Sequence, residues 1–154
     1  MPERISIRAA RPDEGERLRQ IAIDAKGHWG YDRDWIRSWA AQGDFSAEAL
    51  LGKPVLVAEA AGGAVGFAAL IPQGAVALLD DLWVEPAWIG HGVGTKLFEE
   101  CVIRARELGA ERMEWEAEPN AVGFYEKLGG RYFRDSEPTV WGRIVPVMGI
   151  DLSL

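Results

Sequence analysis

The sequence is 154 residues long, one ordinary domain's worth, and is 48% apolar and 27% charged, the profile of a globular protein and not of a disordered or fibrous one. A formal net charge of −7 argues against gripping nucleic acid by blanket phosphate neutralisation and against docking on an anionic membrane, so no nucleic acid and no membrane partner is expected. One cysteine, Cys101, forms no internal disulfide, and with two histidines it makes a poor ligand stock, so no metal is expected and a reducing, cytoplasmic setting fits.

The N-terminus carries Arg4, Arg8 and Arg11 and no apolar stretch of the signal-peptide kind. Between Glu59 and Asp80 there is no charge, but Gly62, Gly63, Gly66, Pro72, Gln73 and Gly74 interrupt the run, which reads as short strands joined by turns.

Ile5 and Ile7 alternate with polar neighbours as an opening strand. Pro12-Asp13-Glu14 starts a helix that places Leu18, Ile21, Ala22 and Ala25 at helical spacing and stops at Gly27. His28-Trp29-Gly30-Tyr31 reads as a loop. A second helix from Asp32 carries Trp35, Ile36 and Trp39 on one face, and Ser46-Ala47-Glu48 offers one more helical turn.

Residues 54–60 and 64–71 form a hairpin pair with Gly62-Gly63 at its tip, and 75–84 is a central apolar strand closed by Pro86. From Gly92 to Leu108 a helix aligns Val93, Leu97, Cys101, Ala105 and Leu108 before Gly109. Residues 111–118 alternate strictly, with Met113, Trp115 and Ala117 on one face and Arg112, Glu114 and Glu116 on the other. Pro119-Asn120 opens a short helix ended by Gly129-Gly130, and strands near 131–134 and 140–152 follow. Without repeats or linkers, this order predicts a single mixed α/β domain over residues 1–154.

Gly90-His91-Gly92-Val93-Gly94-Thr95 joins a buried strand to a helix. Bare backbone amides and the positive end of the helix dipole make such a turn an anion site, most naturally for a phosphate or pyrophosphate. The dinucleotide fingerprint fails because the third glycine comes one residue early, and the P-loop fails because Thr95 precedes Lys96. Spacing alone leaves two readings, a phosphate cradle or a glycine-rich turn without a ligand. Asp80-Asp81 interrupts the central strand, and consecutive strand residues face opposite ways, so one carboxylate at most enters a given cleft as a general base. The alternative is a pair spent on a neighbouring loop and on water.

The stretch Asp81-Leu82-Trp83-Val84-Glu85-Pro86 … Gly90-His91-Gly92-Val93-Gly94-Thr95 … Leu97-Phe98 resembles the acetyl-CoA-binding core of the GNAT N-acetyltransferase superfamily. Residues 119–129 (Pro119-Asn120-Ala121-Val122-Gly123-Phe124-Tyr125-Glu126-Lys127-Leu128-Gly129) resemble the segment after its fifth strand, in the same order and separation. The resemblance implies an α/β (α+β) fold: a mixed, mostly antiparallel sheet of six to seven strands flanked by about four helices, with the fourth strand splayed from the fifth. It implies acetyl-CoA as cosubstrate, its pantetheine arm along Leu82, Trp83 and Val84, and its pyrophosphate on Gly90, His91, Gly92, Val93, Gly94 and Thr95. Asn120 would bond the arm and Phe124 would line it. The amide near Val84 would stabilise the oxyanion, and Tyr125 would protonate the departing thiolate, a phenol and a thiol having similar pKa values. Asp81 is the candidate base, with Asp80, or Glu85 acting through water, as rivals. Ile89 departs from the superfamily's usual polar residue at that position.

The acceptor is expected to be a small amine or peptide amine. Lys26-Gly27-His28-Trp29-Gly30-Tyr31 resembles a signature found in a subset of bacterial members, in a region that borders the acceptor cleft. Trp29 and Tyr31 are open between acceptor contact and packing, since aromatic faces hold cations, whereas Trp35 and Trp39 read as core. His28 is a base, an acceptor contact or a solvated loop residue. Dimers are frequent in the superfamily, so a homodimer is one expected arrangement. The rival reading is a CoA-binding sensor or interaction module without catalysis.

Overall fold

The computed structural model describes residues 4–138 and 142–153. Seven strands, β1 (Ser6–Ala9), β2 (Val55–Ala60), β3 (Gly63–Gln73), β4 (Val76–Val84), β5 (Arg112–Glu116), β6 (Arg131–Asp135) and β7 (Pro146–Asp151), form one sheet in the order β1-β2-β3-β4-β5-β7-β6. Five helices accompany them: α1 (Gly15–His28), α2 (Arg33–Ala41), α3 (Ala47–Gly52), α4 (Val93–Glu107) and α5 (Val122–Lys127). Pairing is parallel for β4 with β5 and antiparallel for β1–β2, β2–β3, β5–β7 and β6–β7. This is the mixed, mostly antiparallel α/β architecture expected, with one helix more than the four anticipated.

Local chemistry explains the boundaries. Helix α1 runs through Gly27 and breaks only at Gly30, whose φ of 84° is the left-handed conformation that glycine adopts freely. His28 is therefore the last helical residue and not part of a loop. Asp32 caps α2 by accepting from the amides of Asp34 and Trp35, and Ser46 caps α3 by accepting from Ala49. The β2–β3 turn is Ala61-Gly62, both at positive φ, one residue earlier than expected and matched to strand twist. Of the anticipated final strand, residues 140 and 141 lie outside the described residues, and the strand observed starts at Pro146.

The chain divides into two compact units. The first, Met1–Leu70 with Asp81–Cys101, builds its core from Leu18, Ile21, Val57 and Phe67, with Trp39, Phe45 and Trp83 packed against it. Gly66 is required there: a Cβ would meet the Trp83 carbonyl and the Val93 side chain at 3.0 Å each. The second unit, Ile71–Asp80 with Val102–Leu154, buries Met113, Trp115, Met148 and Ala105. At Gly149 a Cβ would lie 2.4 Å from the Phe133 ring, so this bare position seats an aromatic from the next strand. Among the described residues no helix is long and apolar enough to cross a membrane, and no cluster of three metal-ligating side chains is present.

Candidate active site

In the first unit the glycine turn follows β4 and a single helical turn at Pro86–Trp88. Gly90 and Gly92 have φ of 85° and 84°, and open space surrounds the position that each Cβ would take. The Gly92 carbonyl accepts from the Lys96 amide and so begins α4. The amides of Val93, Gly94 and Thr95 belong to the first turn, where no intrahelical carbonyl reaches them. The loop is thus bare and leads into a 15-residue helix whose first-turn donors have no partner within the helix. The His91 ring stands edge-on to Trp88 at 5.4 Å, and Ile89 is exposed beside it.

On β4, Leu82, Trp83 and Val84 are half-buried. Asp81 is half-buried as well and accepts a 3.1 Å hydrogen bond from the Trp83 indole, two residues on and on the same face. Asp80 is exposed and belongs to the other unit. Glu85 is ion-paired to Arg17 at 2.5 Å, and the same Arg17 Nη2 donates to the Ala64 carbonyl.

The acceptor-side aromatics make a different structure from the one expected. Tyr31 stacks on Trp35 and Trp35 on Trp39, with centroids 5.1 and 6.5 Å apart, and Trp39 stands edge-on to Trp83 at 5.3 Å. The Nζ of Lys26, from α1, lies 4.6 Å from the Tyr31 ring, 5.4 from Trp35, 5.3 from Trp39 and 5.5 from Trp83. Lys26 is buried. Of the two aromatics left open to a cationic acceptor, Tyr31 already faces an ammonium of the chain itself, whereas Trp29 stands outside the cage. Trp35 and Trp39 are therefore cage walls as well as packing, and Tyr31 is committed to the same cage. His28 is exposed, with its ring 4.9 Å from the exposed Trp29.

In the second unit Tyr125 is buried on α5, 4.9 Å from the Trp115 ring and 5.1 Å from Phe124, which is half-buried. Its carbonyl accepts from the Gly130 amide at 2.9 Å, which folds the α5 end back on itself. Gly130 leaves no space for a Cβ against the Trp115 ring and the Tyr125 carbonyl. Asn120 is exposed, and its Nδ2 donates to Glu118 at 2.9 Å.

Glu114 shares the face of β5 with Arg112 and Glu116, as alternation predicts, yet its side chain is only 4% exposed. It is ion-paired to Arg112 through Nε and to Arg134 through Nη2, the latter at 2.8 Å. Burial works to raise its pKa, and the two guanidiniums outweigh burial and hold it below the usual carboxylate value. An open pocket of about 520 Å³ spreads over this triad, lined also by Leu78, Asp80, Trp115, Glu116 and Val147.

The chain matches the family model described as "Acetyltransferase (GNAT) family" over residues 16–130. It is 38% identical over 84 residues to serotonin N-acetyltransferase 2, chloroplastic, of Oryza sativa subsp. japonica, a match covering 54% of this chain and only 38% of that protein. Among solved structures it superposes with TM-score 0.81 and 26% identity on a GCN5-related N-acetyltransferase from Rhodopseudomonas palustris, over 96% of this chain and 95% of that one. It likewise superposes with TM-score 0.79 and 23% identity on the paia N-acetyltransferase of Thermoplasma acidophilum in complex with coenzyme A, over 96% and 99%.

Proposed function

Because this chain belongs to the acetyltransferase (GNAT) family, we propose that it transfers an acetyl group from acetyl-CoA to a primary amine by direct attack. The observation that carries the reading is the open turn at Gly90 and Gly92 leading into α4. Its donors are backbone amides at a helix N-terminus, the chemistry a pyrophosphate requires. The Thermoplasma relative, with the same fold, was solved with coenzyme A.

In this reading residues 90–95 hold the pyrophosphate, and Leu82–Val84 bond the pantetheine arm through the main chain. Asn120 and Phe124 contact the same arm. The amine must shed its proton before it has a lone pair to attack with, since an alkylammonium has a pKa of about 10.4. Asp81 is the proton acceptor, directly or through water. Its rivals fit less well, because Glu85 is engaged by Arg17 and Asp80 is exposed. As the nitrogen–carbon bond forms, the Val84 amide stabilises the oxyanion. The carbon–sulfur bond then breaks, and the thiolate takes the Tyr125 phenol proton.

The test is release of CoA thiol from acetyl-CoA across a panel of primary amines. Release that depends on both protein and amine is the expected result. Saturable acetyl-CoA binding without amine-dependent release from any member would overturn transfer and favour a CoA-binding sensor.

A further inference from the structure

The pocket over the Arg112–Glu114–Arg134 triad is charged asymmetrically, and that asymmetry points to a class of acceptor. Glu114 is buried at its floor and holds two guanidiniums from different strands, Arg112 on β5 and Arg134 on β6. Each contact uses a single nitrogen, Nε of Arg112 and Nη2 of Arg134, so neither arginine is locked in a bidentate fork. Their side chains are 48% and 59% exposed, both line the pocket, and the contact with Glu114 uses one nitrogen of each five-donor guanidinium. The triad carries one net positive charge.

The other charged residues of the lining have the opposite sign. Glu116 lies two residues beyond Glu114 on the same face of β5, about 7 Å along the strand, and Asp80 lines the same pocket from β4. Leu78, Trp115 and Val147 supply the apolar lining. The β4–β5 ladder pairs Val76 with Arg112 and Leu78 with Glu114, and the pocket runs along it and on to Asp80 and Glu116. A volume of about 520 Å³ suits a molecule of a few to some fifteen heavy atoms.

We propose that this pocket takes an acceptor carrying a carboxylate beside its amine, an amino-acid-like zwitterion, with Arg112 and Arg134 holding the carboxylate and Glu116 facing the ammonium. A simple alkylamine would leave the triad's one net positive charge without a second anion and forgo the guanidinium contacts. A phosphate monoester has no ammonium to meet Glu116. The inference rests on the acetyl-transfer reading for its consequence in catalysis, whereas binding is measurable without it.

The test is calorimetric titration of the protein, without acetyl-CoA, with three matched pairs: L-alanine against ethylamine, L-lysine against cadaverine and L-tryptophan against tryptamine. At least one amino acid is expected to bind about tenfold or more tighter than its decarboxylated partner, the effect of one charge-assisted contact. Arg134→Gln should erase that gap by weakening the acid alone, Arg112→Gln should do the same, and Glu116→Gln should weaken both members of the pair. Arg134→Lys, which keeps the charge, guards against loss of fold and should restore part of the gap. No binding by any of the three acids, or a gap that persists in both Arg→Gln variants, would overturn the proposal. Adding acetyl-CoA then separates the two readings: acids that bind, with no CoA release from any amine of the panel, overturn acetyl transfer and leave the pocket standing. Release of CoA with no preference for the acid overturns the pocket alone.

Discussion

The indole Nε1–H of Trp83 donates to Oδ1 of Asp81 at 3.1 Å. The same indole is one wall of the cage around Lys26. The carboxylate proposed as base is thus held by a ring that a buried cation holds in turn, all within one unit.

Trp83→Phe keeps an aromatic wall and removes the donor. The expected outcome is a drop of about tenfold or more in kcat with acetyl-CoA affinity unchanged, the loss of one hydrogen bond to a charged group. Steady-state kinetics with calorimetry of acetyl-CoA binding checks it; unchanged kcat would detach Trp83 from the base.

Tyr125→Phe removes only the phenol oxygen from a ring packed between Trp115 and Phe124. A thiolate is a good leaving group, so the effect should sit near the low end of general-acid contributions, about 10- to 100-fold in kcat. Acetyl-CoA binding and melting temperature should stay near wild type. Wild-type turnover would remove Tyr125 from the mechanism.

Lys26→Met retains the buried stem and deletes the ammonium from between four rings. Desolvated cation–π contacts contribute about 2 kcal/mol or more, so the variant should lose about 1–3 kcal/mol in urea unfolding. A variant as stable as wild type would show that the rings pack equally well around an apolar chain.

Arg8 bridges Glu14 and Glu59 at 2.7 and 2.6 Å. The Arg8 guanidinium, helped by the Arg11 amide, holds the Glu14 carboxyl below its ordinary value of 4.5 against the opposing effect of burial. A carboxylate depressed in the folded state stabilises the protein above its unfolded pKa, and that share is lost as pH falls through the folded value. Glu14→Gln should therefore cost about 1 kcal/mol near pH 7, and the gap to wild type should narrow progressively as pH falls below the ordinary value of 4.5. Parallel melts from pH 7 to 3 check it, and a gap independent of pH would contradict the assignment.

Much of this was legible because the backbone chemistry is local. The glycines at 90 and 92 sit at positive φ where a strand–helix junction was read, and Asp32 and Ser46 cap the helices that they precede. The cage and the triad were not legible for the same reason. Lys26 falls at i+8 from Leu18, in the row Leu18, Ile21, Ala22, Ala25 that α1 buries, but a charged residue on an apolar stripe reads as its edge. Alternation gives Glu114 a face without saying what covers it. Its partner Arg134 lies twenty residues away, on a strand whose register shifts between Tyr132 and Arg134.

The central claim, a site for acetyl-CoA, is tested most directly by the melting temperature in the presence of acetyl-CoA, with ATP and NAD as controls. Ligand at a hundredfold over its dissociation constant adds about 2.7 kcal/mol, which for a chain of this size should raise the melting point by roughly 5–10 °C. A shift of that order with acetyl-CoA alone is the predicted result. No shift with acetyl-CoA, or an equal shift with ATP or NAD, would contradict it.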